Sequence, residues 1–141
     1  MSSFSFAQTI PEKILVVGDS LSAAYGIDHK EGWVSLLAQR LAGQFPHYII
    51  VNESISGETT AAGLALFPLL LEKHQASLLI LELGANDDLQ GLPIPHITQN
   101  LAQMIGLAKK ANMRILLLGM QLPPNYGMQY TQMFKDIYPS L

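Results

Sequence analysis

The order of apolar and polar residues in this chain predicts an α/β domain: a parallel sheet with helices on both faces. Three observations carry that expectation. Four short runs are apolar without alternation, as strands covered on both faces are. The segments between them repeat their apolar residues at helical spacing. Strands and helices then alternate along the chain, the order that right-handed crossovers in a parallel sheet produce.

The first strand is expected over Lys13–Val17, stopping at Gly18. Asp28 with Glu31 three residues on reads as a capping box, and Val34, Leu37, Ala38 and Leu41 share one face of the helix it would open, with Gly43 as its stop. Tyr48–Val51 is the second strand. The next helix runs from about Glu58 to Lys73, with Ala61, Leu64, Ala65 and Leu71 inward. Pro68 should kink or split it, because proline cannot donate to the carbonyl of Leu64. Ser77–Leu83 is the third strand. A helix from about Pro95 to Ala111 follows, ended by Asn112, with Ile97, Leu101, Met104, Ile105 and Ala108 as its buried stripe. Arg114–Leu118 is the fourth strand, and a last helix over Gln129–Tyr138 is cut off by Pro139.

Composition bounds the rest. The 141 residues suit one domain, and 49% of them are hydrophobic, which excludes intrinsic disorder. Only 13% are charged, near half the usual share of about 25%. Such a chain either buries its strands on both faces or turns apolar surface toward a partner or a greasy ligand. Without cysteine there is no disulfide framework, thiolate zinc site or cysteine nucleophile. A net charge of -3 and the lack of a Lys/Arg run speak against nucleic acid. No apolar stretch reaches the roughly 20 residues of a membrane span. Met1–Thr9 lacks a basic n-region; it reads as a tag-like end, or, through the small-x-small pattern of Ser5-Phe6-Ala7, as the tail of an export signal.

Ligands of an open parallel sheet bind at the carboxyl ends of its strands. There the chain places Gly18-Asp19-Ser20-Leu21-Ser22, then Asn52 to Thr59, then Gly84-Ala85-Asn86-Asp87-Asp88, and finally Gln121 to Gly127. Ser20 is exposed at a strand-to-helix turn as a nucleophile would be. The backbone N–H of Ser20, the backbone N–H of Gly57 and the side-chain amide of Asn86 have the chemistry of an oxyanion hole. Glycine permits close backbone approach at any φ, and an amide donates without carrying charge.

These blocks resemble the SGNH hydrolases. Gly18-Asp19-Ser20-Leu21 is similar to their GDSL motif, Ser56-Gly57-Glu58-Thr59 to their second block, and Gly84-Ala85-Asn86-Asp87 to their G-x-N-D block. Leu21 to Tyr25, Leu122 to Gly127 and Ile137-Tyr138-Pro139 further resemble the bacterial multifunctional acyl-CoA thioesterase, lysophospholipase and arylesterase subgroup. The resemblance runs from about Ile14 to the last residue. It implies a three-layer α/β/α, flavodoxin-like fold and a serine hydrolase of esters or thioesters. Ser20 would be the nucleophile, with Ser20, Gly57 and Asn86 as oxyanion donors and Asp19 and Asp87 bracing the motifs. Leu122 and Pro123 would form the acyl-pocket wall. No cofactor or metal is implied, and the location implied is periplasmic or secreted, with the cytoplasm left open.

Two departures stand out. The family's D-x-x-H block, which carries its general base, has no counterpart: no Asp or Glu in the sequence is followed three residues later by His. The resemblance therefore implies a domain, 1–141, lacking the family's final strand, that block and the last helix. The fourth strand would then be a bare apolar edge, inviting self-association or segment exchange. Of the histidines, His47 and His74 precede strands and fall at the wrong edge; His29 and His96 follow strands but sit at helix starts. The second departure is Asp88, where the subgroup has glycine; a carboxylate in that loop bears on mobility or substrate preference.

Other readings compete. The same order of elements serves mononucleotide or phosphate binding, although Gly-x-Gly-x-x-Gly and Walker patterns are missing. Ser22 stands where the Gly-x-Ser-x-Gly elbow needs glycine. An ester-binding domain without turnover is a third reading. Asp19, Asp87 and Asp88 do not have metal-ligand spacing with any His.

Overall fold

The computed structural model describes residues 10–141. The Ser5-Phe6-Ala7 reading lies outside them. The four apolar runs form β1 (Glu12–Gly18), β2 (Tyr48–Asn52), β3 (Leu78–Glu82) and β4 (Arg114–Leu117). Every pairing is parallel, in the order β2-β1-β3-β4. Five helices accompany them: α1 (Trp33–Gln44), α2 (Thr60–His74), α3 (Ala85–Leu89), α4 (Ile94–Lys110) and α5 (Met128–Ser140).

The absence of polar alternation in β1 and β3 has a direct cause. Leu15, Val17, Leu79, Leu81 and Leu83 point into one core, where they meet Phe67 of α2, Leu101 and Met104 of α4, and Phe134 of α5. Ile14, Val16 and Ile80 point the other way, against Val34 of α1, with Trp33, Leu37 and Leu41 beside them. Each fully buried Leu, Val or Phe contributes about 1.5–3 kcal/mol of transfer free energy. The two outer strands are covered less: Ile49 is 46% and Leu116 50% exposed. Among the described residues β4 pairs only with β3, so one edge of it is open, as the sequence suggests.

Several boundaries differ from the sequence reading. Asp28 does not open α1. Its side chain caps a 3-10 turn at His29–Glu31 by accepting from Lys30 N at 2.9 Å, and α1 begins at Trp33 after Gly32. Gly43 does not stop α1, which runs on through Gln44. Pro68 neither splits nor ends α2, which is one continuous helix of 15 residues. Proline removes one hydrogen bond there, but Phe67 beside it is fully buried and Pro68 itself faces outward, so packing holds the turn. On α2 the buried positions are Thr60, Gly63 and Phe67, whereas Ala61 and Ala65 are exposed. Pro139 lies inside α5 rather than ending it. The Gly84–Asp88 segment, expected as loop, forms the short α3, and a 3-10 turn at Pro124–Tyr126 interrupts the last long loop. The stripe expected on α4, Ile97, Leu101, Met104, Ile105 and Ala108, is buried throughout.

What positions the site is the register at the sheet's centre. Gly18, the last residue of β1, lies directly opposite Glu82, the last of β3. The turn after β1 and the helix after β3 therefore leave the sheet side by side.

Candidate active site

Ser20 follows β1 in a tight turn that its neighbours hold from both sides. The Asp19 carboxylate accepts from Leu21 N at 3.0 Å, the short local bond that aspartate makes in turns. Asp19 N donates to Glu82 Oε2 at 3.2 Å, and the Ser22 hydroxyl donates to the same oxygen at 2.6 Å. One carboxyl oxygen at the end of β3 thus clamps the residue before Ser20 and the residue two after it. The fit leaves no room: a Cβ on Gly18 would lie 2.6 Å from both Glu82 Oε2 and Ser22 Oγ. Ser20 itself is half-buried and Leu21 exposed, so the turn presents its serine at the surface.

The other two blocks are stitched to this turn. Asn52 Nδ2 donates to Ser22 O at 2.8 Å, and Ile55 N to Gly18 O at 3.0 Å, which ties the segment after β2 to the Ser20 turn. Gly57 sits in that segment at φ +83, with open space where a Cβ would be. A side chain there would be strained by the backbone, not by crowding. Asn86 lies in the first turn of α3. Its Nδ2 donates to Glu58 O at 2.9 Å and, at 3.4 Å, to Asp19 Oδ2. The residue after Gly57 and the residue before Ser20 are therefore both held by Asn86, and the three positions converge on one rim.

Asp87 is fully buried and accepts from Thr60 N at 2.8 Å and Thr60 Oγ1 at 2.5 Å. It joins α3 to the start of α2, and Asn100 Nδ2 of α4 adds a bond to the same threonine hydroxyl at 3.0 Å. Leu122 and Pro123 line a cavity of about 380 Å³ that also touches Leu21, next to Ser20, and Ala85, next to Asn86. Its other walls include Asp88, Leu89, Met120 and Tyr126.

Sequence reasoning missed the support beneath the rim. Glu82 is only 4% exposed, and its Oε1 has no hydrogen-bond partner. Burial pushes its carboxyl up to about 7, with the nearby Asp19 charge adding to the rise and the Ser22 hydroxyl bond opposing it. Tyr138 closes the space behind it by donating to Leu83 O at 2.9 Å; burial raises its phenol well above the ordinary range. Glu58 is likewise raised by burial. The only available signal for Glu82 was a charged residue ending an otherwise apolar strand.

No histidine among the described residues hydrogen-bonds to Ser20. His74 Nε2 meets Glu53 Oε1 at 2.5 Å; with Lys73 it lowers the Glu53 pKa, Lys73 having the larger effect. His29 lies in the 3-10 turn before α1 and His96 in the first turn of α4, both exposed. Among the described residues no group of three or more His, Asp or Glu side chains is gathered as a metal site would gather them. No helix of the described residues is long and apolar enough to cross a membrane.

A doubly flanked parallel sheet with a serine turn, a positive-φ glycine and an asparagine on one rim defines the SGNH class of α/β hydrolases. The chain belongs to the GDSL-like lipase/acylhydrolase family, whose model matches residues 16–138. It is 48% identical over 131 residues to the esterase TesA of Pseudomonas aeruginosa, covering 93% of this chain and 65% of that protein. It is 46% identical over 137 residues to an arylesterase of Vibrio mimicus, covering 97% and 68%. A crystal structure of TesA superposes with a TM-score of 0.89 over 92% of this chain and 72% of that one. The chain thus spans about two thirds of the length of the curated relatives it matches.

Proposed function

We propose that this rim performs the acylation half-reaction of a serine hydrolase acting on esters or thioesters, of the arylesterase, thioesterase and lysophospholipase type. Ser20 Oγ attacks the acyl carbonyl, the bond to the leaving oxygen or sulfur breaks, and the serine proton passes to solvent. The backbone N–H groups of Ser20 and Gly57 and the Asn86 amide receive the developing oxyanion, each such donor being worth about 2.7–4 kcal/mol. Asp19 and Asp87 hold the turn and α3 in place, and Leu122 and Pro123 take the acyl chain. The observation that carries this reading is the pair of bonds from Asn86 Nδ2, to Asp19 Oδ2 at 3.4 Å and to Glu58 O at 2.9 Å. The longer bond is the one an oxyanion would replace.

The test is release of nitrophenolate from nitrophenyl butyrate. Ser20→Ala should abolish release above background, and Asn86→Ala should reduce it by about 10²-fold or more. Equal release by Ser20→Ala would overturn the assignment.

The open β4 edge supports a second proposal, self-association of the chain through that strand. Light scattering should give a mass above 15.4 kDa at micromolar concentration, and a lysine at the half-exposed Leu116 should return it to that monomer value. A strictly monomeric wild-type chain would contradict this. A periplasmic or secreted location belongs to the same reading; fractionation of the source cells would test it.

A further inference from the structure

Glu82 touches no reacting atom, yet it is buried at the end of β3, where it reaches two residues of the serine turn. Around Ser20 the chain is tied to itself. Leu21 N donates to Asp19 Oδ1 at 3.0 Å, Ala23 N to Asp19 O at 2.9 Å and Tyr25 N to Ser20 O at 3.1 Å. These local bonds shape the turn but leave open where it points. The two bonds to Glu82 Oε2, from Asp19 N at 3.2 Å and from the Ser22 hydroxyl at 2.6 Å, fasten it to β3. Four residues after Glu82 the same segment carries Asn86, whose Nδ2 reaches Asp19 Oδ2 at 3.4 Å. The anchor of the serine turn and the mount of the Asn86 amide are therefore one piece of backbone.

The charge on Glu82 matters as much as its bonds. Its Oε1 is buried without a hydrogen-bond partner among the described residues, and the Asp19 carboxylate is close by. An ionised Glu82 would set a second negative charge in this space, with one oxygen lacking a donor, which is costly. With a proton on Oε1 the carboxyl is neutral, and Oε2 still accepts both bonds. Burial pushes this carboxyl up to about 7 despite the Ser22 bond, with the Asp19 charge adding to the rise. Tyr138 on α5 lies in the field of Glu82, Asp87 and Asp19, and burial raises its phenol so that it stays uncharged. A fixed anion beneath the rim would oppose the negative charge that grows on an attacked carbonyl oxygen.

We infer that Glu82 is a positioning residue of the acylation step: as a neutral acid it fixes the Ser20 turn against Asn86 without placing a charge under the oxyanion donors. Naming that step rests on the hydrolase reading. The test follows labelling of Ser20 by an alkyl fluorophosphonate, whose concentration dependence separates the dissociation constant of the encounter complex from the limiting rate of phosphonylation. At pH 6, Glu82→Gln keeps an acceptor oxygen and no charge, and should label within about threefold of wild type. Glu82→Leu fills the space but accepts nothing. It should lose about 10–10²-fold in the limiting rate, with its dissociation constant unchanged. Ser22→Ala removes one of the two bonds and should fall between them; it decides the matter if the leucine variant does not fold. From pH 6 to pH 8.5 the wild-type limiting rate should fall about threefold or more relative to that of Glu82→Gln, as the wild-type carboxyl ionises. A folded Glu82→Leu or a Ser22→Ala that labels at the wild-type rate would overturn the inference alone. So would a ratio of wild type to Glu82→Gln that does not change with pH. A wild-type Ser20 that takes no label would overturn the hydrolase reading and the inference with it.

Discussion

Glu82 holds the Ser20 turn from outside the motif, at the end of β3. Its Oε2 receives both the Asp19 N–H and the Ser22 hydroxyl, and it lies 2.6 Å from where a Cβ on Gly18 would fall. The folded carboxyl keeps its proton up to about pH 7, whereas the unfolded one releases it near 4.5. Between those values the folded state binds more protons, so stability is greatest below the window and falls as pH rises through it. The melting temperature of wild type should therefore drop from pH 4.5 to pH 7 by more than that of Glu82→Gln, whose amide does not titrate. Parallel profiles for the two proteins would contradict this. Gly18→Ala should cost about 1–3 kcal/mol of unfolding free energy in urea titrations, because its methyl group would meet two fixed oxygens. At this scale the motif residues were readable in the sequence, since Ser20, Gly57 and Asn86 sit in recognisable local strings. Glu82, Thr60 and Tyr138 were not. Their partners lie 63, 27 and 55 residues away, and nothing local announces a contact of that range.

Elements were legible wherever burial is continuous and less so where a single residue was asked to set a boundary. The four strands and the α4 stripe follow from apolar pattern alone, because both sheet faces and one helix face are filled. Gly43 falls one residue short of the end of α1 at Gln44, whereas Pro68 misleads as a splitting signal because a local preference of a few kcal/mol yields to the packing of a whole helix. Phe67 supplies much of that packing for α2. Phe67→Ala should lower stability by about 3–5 kcal/mol. Pro68→Ala restores the missing donor on an exposed face, and should raise stability by about 1 kcal/mol or more after allowing for the looser unfolded chain. Chemical denaturation of the two variants checks both signs. The short α3 escaped notice because five residues, opened by Gly84 at φ +133, leave too little periodicity to read.

Across the whole molecule the low charge now has a structural account. Both faces of the two central strands are buried, and a largely apolar cavity lies beside the rim. The sheet is unevenly covered, with α2, α4 and α5 on one face and α1 on the other, and its β4 edge is open. In the order β2-β1-β3-β4 the winding reverses direction once, after β2, and that reversal sets β1 beside β3 and brings their ends together beneath Ser20 and Asn86. The proposed function stands on acylation of Ser20 at this junction. Its most direct measurement is intact and peptide mass analysis of the chain after exposure to nitrophenyl butyrate or an alkyl fluorophosphonate. A single adduct of the butyryl or phosphonyl mass on the peptide containing Ser20, absent from Ser20→Ala, is the predicted result. An unmodified Ser20, or the same labelling in Ser20→Ala, would contradict it.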